Sequence, residues 1–203
     1  MMRLPAVNFD YRRLYHLSEG FTRGAIRVHA VDEIPDPDGL TRADVVPQKP
    51  VRFRWDEGTR LYDFIGTTWA TLKFISDRFV EVLREGAFTG WSTYSIELRY
   101  KDGVPIHGYH GLSVTGRSGP IEDELSPIEI LPPPVPEGEA MPHYMGLRFR
   151  PETWDGCDVF SPEGSTFVFV TEAIRDALVE ASVSNVSLER LSDVNRFVLE
   201  DDD

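Results

Sequence analysis

Two stretches of the chain carry the same order of apolar and polar positions. The first is 69–100, WATLKFISDRFVEVLREGAFTGWSTYSIELRY. Its opening run, 70–75, is apolar and β-branched enough to predict a strand. Ser76 then offers a hydroxyl to a free amide of a first helical turn, and Asp77 suits the positive end of a helix dipole. Phe79, Val82 and Leu83 recur at helical spacing, with Arg78, Glu81, Arg84 and Glu85 on the other side. Gly86 stands where a left-handed residue would close the helix. A strand over 91–99 follows, with Ser92, Tyr94, Ile96, Leu98 and Tyr100 on its more apolar face. If the strands at 70–75 and 91–99 are neighbours, the crossover is long enough for a parallel, right-handed unit.

The second stretch, 167–191, aligns with the first without a gap at a displacement of 95 residues. Ile75-Ser76-Asp77 falls on Val170-Thr171-Glu172, and Phe79, Val82 and Leu83 fall on Ile174, Ala177 and Leu178. Thr171 is again a capping residue followed by an acid. Two readings stand: ordinary β–α–β units converge on such patterns, or the chain holds an internal duplication.

Elsewhere, 11–16, 24–31, 51–55 and 61–65 read as strands, and 109–115 as a strand returning across the Lys101-Asp102-Gly103 turn. Residues 31–50 read as a loop-rich stretch set by Pro35, Pro37, Gly39, Pro47 and Pro50. Six prolines in 126–142 forbid a helix and predict an extended connector. Residues 144–150 read as a strand and 151–164 as a loop; Glu200 and the terminal aspartates read as a frayed tail. The expected fold is α+β: a mixed, mostly antiparallel sheet with two principal amphipathic helices, 77–85 and 172–181. The domain is single, 1–203, with lobes of about 1–125 and 143–203 joined by the Pro-rich connector 126–142. The expected core is Leu72, Phe74, Phe79, Val82, Leu83, Ile96, Leu98, Val168, Val170, Ile174 and Leu178.

Composition narrows the functions. A chain of 203 residues with 41% hydrophobic content can bury a real core. No run is long enough to span a bilayer, and the first residues lack an apolar region of signal type, so a cytoplasmic protein is expected. One cysteine, Cys157, excludes an intrachain disulfide framework and a thiolate-rich zinc site. The net charge of −13 disfavours nucleic-acid binding, which needs a basic face, and favours a basic protein partner. Residues 118–147 carry six acids and no Lys or Arg.

No catalytic motif stands out. His107 and His110 are spaced to face opposite sides of a strand and chelate poorly. Acids beside Cys157 would blunt its thiol. Ser113 and Ser118 lack a nucleophile-elbow frame, and Gly116 to Pro120 lacks the Lys-Ser/Thr pair of a phosphate loop. Asp36, Asp38 and Gly39 form only a fragment of a calcium loop. Trp69, Trp91 and Trp154 fit packing roles. No cofactor or metal is expected.

The run FISDRFVEVLREGAFTGWSTYSIEL, with GYHGLSVTGRSGPIEDELSP and VFSPEGSTFVFVTEAIRDALVEA, resembles a family of bacterial immunity proteins from polymorphic-toxin systems. The resemblance covers about residues 60–199 and includes Gly86-Ala87-Phe88-Thr89-Gly90 with Glu97. It implies a protein, not an enzyme, that binds a cognate toxin and blocks it; it implies no catalytic residues. Paired Cys-x-x-Cys-Gly motifs of some relatives have no counterpart here. The alternatives are an enzyme that reverses a toxin's modification, through Asp155, Asp158, His107 and His110, and an acidic DNA-mimicking regulator. For partner contact the sequence points to the acidic turns Asp36, Asp38 and Glu122, Asp123, Glu124, because loops carry recognition more often than sheet faces.

Overall fold

A computed structural model describes residues 9–69, 71–133 and 138–198. The N-terminal part of the chain forms β1 (Leu14–Glu19), β2 (Arg27–Ala30), α1 (Pro37–Arg42), β3 (Val51–Glu57) and β4 (Phe64–Thr67). There follow β5 (Lys73–Ser76), α2 (Asp77–Glu85), β6 (Trp91–Tyr94), β7 (Ile96–Arg99) and β8 (Pro105–Ile106). The central part gives β9 (Tyr109–Val114), β10 (Gly116–Ser118), β11 (Ile128–Leu131) and β12 (Met141–Met145). The last elements are β13 (Val159–Pro162), β14 (Phe169–Thr171), α3 (Glu172–Glu180), β15 (Val186–Arg190) and β16 (Asn195–Phe197). The fold is α+β. One sheet runs β6-β9-β5-β4-β2-β3-β7-β8, a second β10-β13-β14-β1-β15, and a third β11-β12-β16. Pairing is largely antiparallel; β2–β4, β3–β7 and β10–β13 are parallel. Among the described residues no helix is long and apolar enough to cross a membrane.

The stretch expected as one strand over 91–99 is broken at Ser95. Its first half pairs with β9 and its second half with β3, so β6 and β7 stand far apart in the strand order although one residue separates them in the chain. The large sheet must therefore curl until these two parts meet at Ser95. Hairpin pairing nonetheless occurs on both sides of the break, with the register slipped by one residue: Leu98 pairs with Ile106 and Tyr94 with Gly111, across a turn whose Gly103 takes φ 87°. The neighbouring parallel unit does not form, because β9 lies between β5 and β6, antiparallel to both.

The similarity at 95 residues extends to the tertiary structure. Displaced by that amount, β1 falls on β9, β4 on β13 and α2 on α3, with identical bounds. Pairing follows: Phe64↔Ile75 and Ile65↔Phe74 fall on Val159↔Val170 and Phe160↔Phe169. Ile75↔His110 falls on Val170↔Tyr15. Even the left-handed residues coincide, Ala87 (φ 51°) with Ser182 (φ 51°) and Gly90 (φ 87°) with Asn185 (φ 60°). Thus β6-β9-β5-β4 corresponds, strand by strand, to β15-β1-β14-β13, and β2 and β10 match by place, each parallel to the strand beside it, although β2 displaced by 95 would fall at 122–125. In each set one strand comes from the other half of the chain. β1, the first strand of the N-terminal half, inserts between β14 and β15; β9, the first of the C-terminal half, inserts between β5 and β6.

Both helices lie in one core with strands of both halves. Phe79, Val80 and Leu83 of α2 pack in the same cluster as Ile174 and Leu178 of α3, Tyr15 and Leu17 of β1, and Leu112 and Val114 of β9. Of the expected core, Val82 and Ile96 are only partly buried; Val80 takes the place next to Phe79. Gly86 is not the left-handed residue: it has φ −73°, and Ala87 carries the positive φ. Gly86 is small for another reason, since a Cβ there would overlap the Phe88 ring. Ser76 caps α2 by accepting the Phe79 N–H at 3.2 Å, but Thr171 makes no such bond to α3.

The expected lobes do not follow the sheets. β1 and β10, both within 1–125, belong to the second sheet with β13, β14 and β15. The Pro-rich stretch is not a plain connector either, because Ile128–Leu131 pairs with Met141–Met145. Residues 134–137 and the C-terminal acidic stretch, including Glu200, lie outside the described residues.

Candidate functional site

The exchange of strands brings the end of β1 against β2, β4 and β5, and a cleft of about 630 Å³ opens there. Lys73 lies at its floor. It is 9% exposed, and its ammonium donates to the carbonyl oxygens of Thr71 at 3.2 Å and Thr166 at 3.4 Å. Those two threonines are themselves equivalent in the two halves, so one ammonium bridges a pair of related carbonyls. Burial pulls the Lys73 pKa down to about 8. His16 packs edge-on against Phe167, with ring centroids 4.8 Å apart. Burial, and then the Lys73 charge, lower its pKa to about 4. Arg27 lies between Glu19 at 3.8 Å and Glu57 at 3.6 Å. Gly66 admits Glu19, because a Cβ at that position would overlap its carboxylate. Phe21, 75% exposed with φ 48°, and Trp69, 43% exposed, stand at the rim.

The equivalent region of the other half is closed. Val168 occupies the place of Lys73 and is fully buried, Gly111 that of His16, and Val114 that of Glu19. Arg27 pairs with Gly66 as Arg117 pairs with Ser161, but Arg117 donates to the carbonyls of Val114, Gly116 and Arg42. The Ser113 hydroxyl donates to Leu40 of α1, which packs over this face. The ionisable lining is therefore peculiar to one half.

Its groups do not form a reaction centre in their present contacts. No nucleophile and base among them lie at hydrogen-bond distance from one another: Lys73 is held by carbonyls, His16 by aromatic rings and Arg27 by acids. The cleft can take a polar group of a ligand or partner between aromatic walls; burial makes the Lys73 ammonium easier to deprotonate than an ordinary lysine.

The acidic residues singled out from the sequence are dispersed. Asp36 accepts the Gly39 N–H at 2.7 Å and caps α1, a helix that begins with Pro37 inside the expected loop. Asp38 is exposed in its first turn. Glu122 pairs with Arg150 at 2.8 Å and Asp123 with Arg196 at 2.5 Å; Glu124 is exposed. Asp36 and Asp38 thus sit apart in chain and contact from the 122–124 turn.

Other candidates have structural contacts. His107 is exposed, while His110 Nε2 lies 2.6 Å from Asp77 at the start of α2. Asp158 accepts from the Thr89 N–H and hydroxyl, and Asp155 from Arg117 and Cys157 N–H groups, so these acids do not converge with the histidines. Burial, and then Asp155, push the Cys157 thiol up. Trp91 and Trp154 pack against cores; Trp69 does not. Among the described residues no three His, Cys, Asp or Glu side chains are grouped to hold a metal ion.

Sequence reasoning missed the cleft. Lys73 lies in an apolar strand, and the signal that marks it is its alignment with Val168, a charged residue against a fully buried apolar one. No family model matches this chain, and no curated protein is significantly similar to it.

Proposed function

We propose that this protein is an immunity protein that binds a cognate toxin and neutralises it by stoichiometric contact, in the cytoplasm where the toxin would act. The observation that carries the reading is an acidic surface left uncompensated. Acids exceed Lys and Arg by 34 to 21, and residues 118–147 hold acids only. Within that stretch the chain spends its own arginines on Glu122 and Asp123, whereas Glu124, Glu129 and Glu139 are exposed and make no ion pair among the described residues. Such a field speeds encounter with a basic protein and repels nucleic acid. The resemblance noted in the sequence supports the same reading.

The test is co-purification with the product of the neighbouring toxin gene at low and at high salt. Capture that weakens as salt rises is expected; capture indifferent to salt, or none, counts against a field-guided inhibitor.

A second reading has one observation in its favour. Lys73, buried on the floor of a cleft that lowers its pKa to about 8, is the kind of group an enzyme uses to reverse a modification. A Lys73→Met variant that still binds the toxin but no longer protects would favour it.

A further inference from the structure

Register decides which backbone groups of β11 face outward. In an antiparallel ladder, hydrogen-bonded and non-hydrogen-bonded pairs alternate. The Met145 N–H donates to the Pro127 carbonyl at 2.7 Å, and Ile128 then faces Tyr144, Glu129 His143, Ile130 Pro142 and Leu131 Met141. Counting from Pro127–Met145, the bonded pairs are Glu129–His143 and Leu131–Met141. Ile130–Pro142 is a non-bonded pair, which is why β12 accommodates a proline there. The Pro142 carbonyl indeed points the other way, accepting from Val198 at 3.1 Å. It follows that the N–H and C=O groups of Ile128 and Ile130 are directed away from β12. Among the described residues no strand lies on that side.

We propose that this outer edge of β11 is a strand-addition site for an extended, basic segment of a partner protein; the choice of partner rests on the immunity reading above. Ile128 and Ile130 are 57% and 73% exposed and project from one face, ready to be covered by an incoming strand. Glu129, exposed on the opposite face, would lie across from an incoming side chain, and Glu124 and Glu139 add to the field. A second copy of the chain is a poor occupant. The only antiparallel register that uses the outward groups of both isoleucines in both copies sets Glu129 against Glu129. Each copy, moreover, carries a net charge of −13. Pro127 and Pro132 bracket the strand and keep the open edge short, which suits a specific partner and opposes runaway pairing.

The site is tested on the full-length protein with three fluorescein-labelled decapeptides. One alternates valine and lysine, one alternates valine and glutamate, and one is the lysine peptide N-methylated on alternate backbone amides. The lysine peptide is expected to bind, with added protection of the Ile128 and Ile130 amides from hydrogen exchange; the other two are not. Ile130→Pro removes an outward N–H and no bond to β12, and should weaken binding at least about tenfold. Should that variant fail to fold, Glu129→Lys keeps the ladder and should shift preference to the glutamate peptide. Failure of the lysine peptide to bind, or equal binding by Ile130→Pro, overturns the proposal. Toxin neutralisation is measured separately. Peptide binding without neutralisation of any toxin would count against the immunity reading alone, and neutralisation unaffected by Ile130→Pro against the edge alone.

Discussion

Asp63 reaches from one half of the chain to Ser184 of the other, accepting the Ser184 N–H at 2.9 Å and its hydroxyl at 2.6 Å. The same contact recurs in reverse, where Asp158 accepts the N–H and hydroxyl of Thr89 at 2.9 Å each. Asp63 takes a further hydrogen bond from Ser76 at 2.7 Å. Burial alone would raise its pKa, but the bonds from Ser184 and Ser76, with Arg78 nearby, outweigh it and hold the carboxyl below its usual range. A carboxylate with a depressed pKa stabilises the fold above its unfolded value, and that stability is lost as pH falls through the folded one. Asp63→Ala should cost about 2–3 kcal/mol in urea unfolding. A cost near zero would mean that the cross-half bond is incidental.

Lys73→Met should raise stability, by about 1–3 kcal/mol in the same measurement. Val168 shows that an apolar side chain suits the equivalent place. The folded Lys73 pKa, about 8, lies below the ordinary 10.5. Over that window the unfolded chain binds more protons, so wild-type stability should climb as pH rises through it. The variant should lose this slope. A destabilised variant with the slope intact would contradict the placement of the ammonium.

His16 acts in a lower window. Its folded pKa of about 4 lies below the ordinary 6.5, so the protonated ring is disfavoured by the fold. Stability should fall as pH is lowered from 6.5 towards 4. His16→Leu should flatten that part of the curve, and NMR titration of the ring gives the folded value directly. A ring that titrates near 6.5 refutes its burial against Phe167 and Lys73.

Capping distinguishes two helices that otherwise match. Ser76→Ala removes the bond to the Phe79 N–H and should cost about 0.5–2 kcal/mol. Thr171→Ala removes no cap from α3, only a contact of 3.4 Å to Asp158, and should cost less. Equal costs would show that the capping geometry is the same in both halves.

The exchanged strands make the halves interdependent. Cleaved within the turn at Gly103, the N-terminal piece keeps β1 but lacks β9, and the C-terminal piece the reverse. Each alone should remain unfolded by circular dichroism and near-ultraviolet signal, and a mixture should regain the native spectrum. A piece that folds alone would show that the exchange is dispensable.

What was legible in the sequence was local. The helices at 77–85 and 172–180 and the turn at Gly103 follow from spacing, capping residues and an Asp-Gly pair, which act over a few positions. What was not legible depends on distant partners. β11 and β13 are short, and β11 sits in a proline-rich text that argues against a ladder; only the pairing with β12 and β14 shows them to be strands. The helix at Pro37 was signalled by Asp36 before a proline, a cap that reads equally as a turn. The cleft was invisible because Lys73 becomes a floor residue only when β1 crosses to the other half. Of the acidic turn at 122–124 only Glu124 is fully exposed; the other two acids are held by Arg150 and Arg196 from far along the chain.

The central claim concerns how protection scales with dose. A fixed amount of the cognate toxin, assayed for its own activity, is titrated with the purified protein. If neutralisation is by contact, toxin activity declines linearly and vanishes at equimolar protein, and washing the complex at high salt restores it. Full protection at a small fraction of the toxin's concentration, persisting after the protein is removed, would mean that the protein turns over, and would move the functional centre to Lys73 and its cleft.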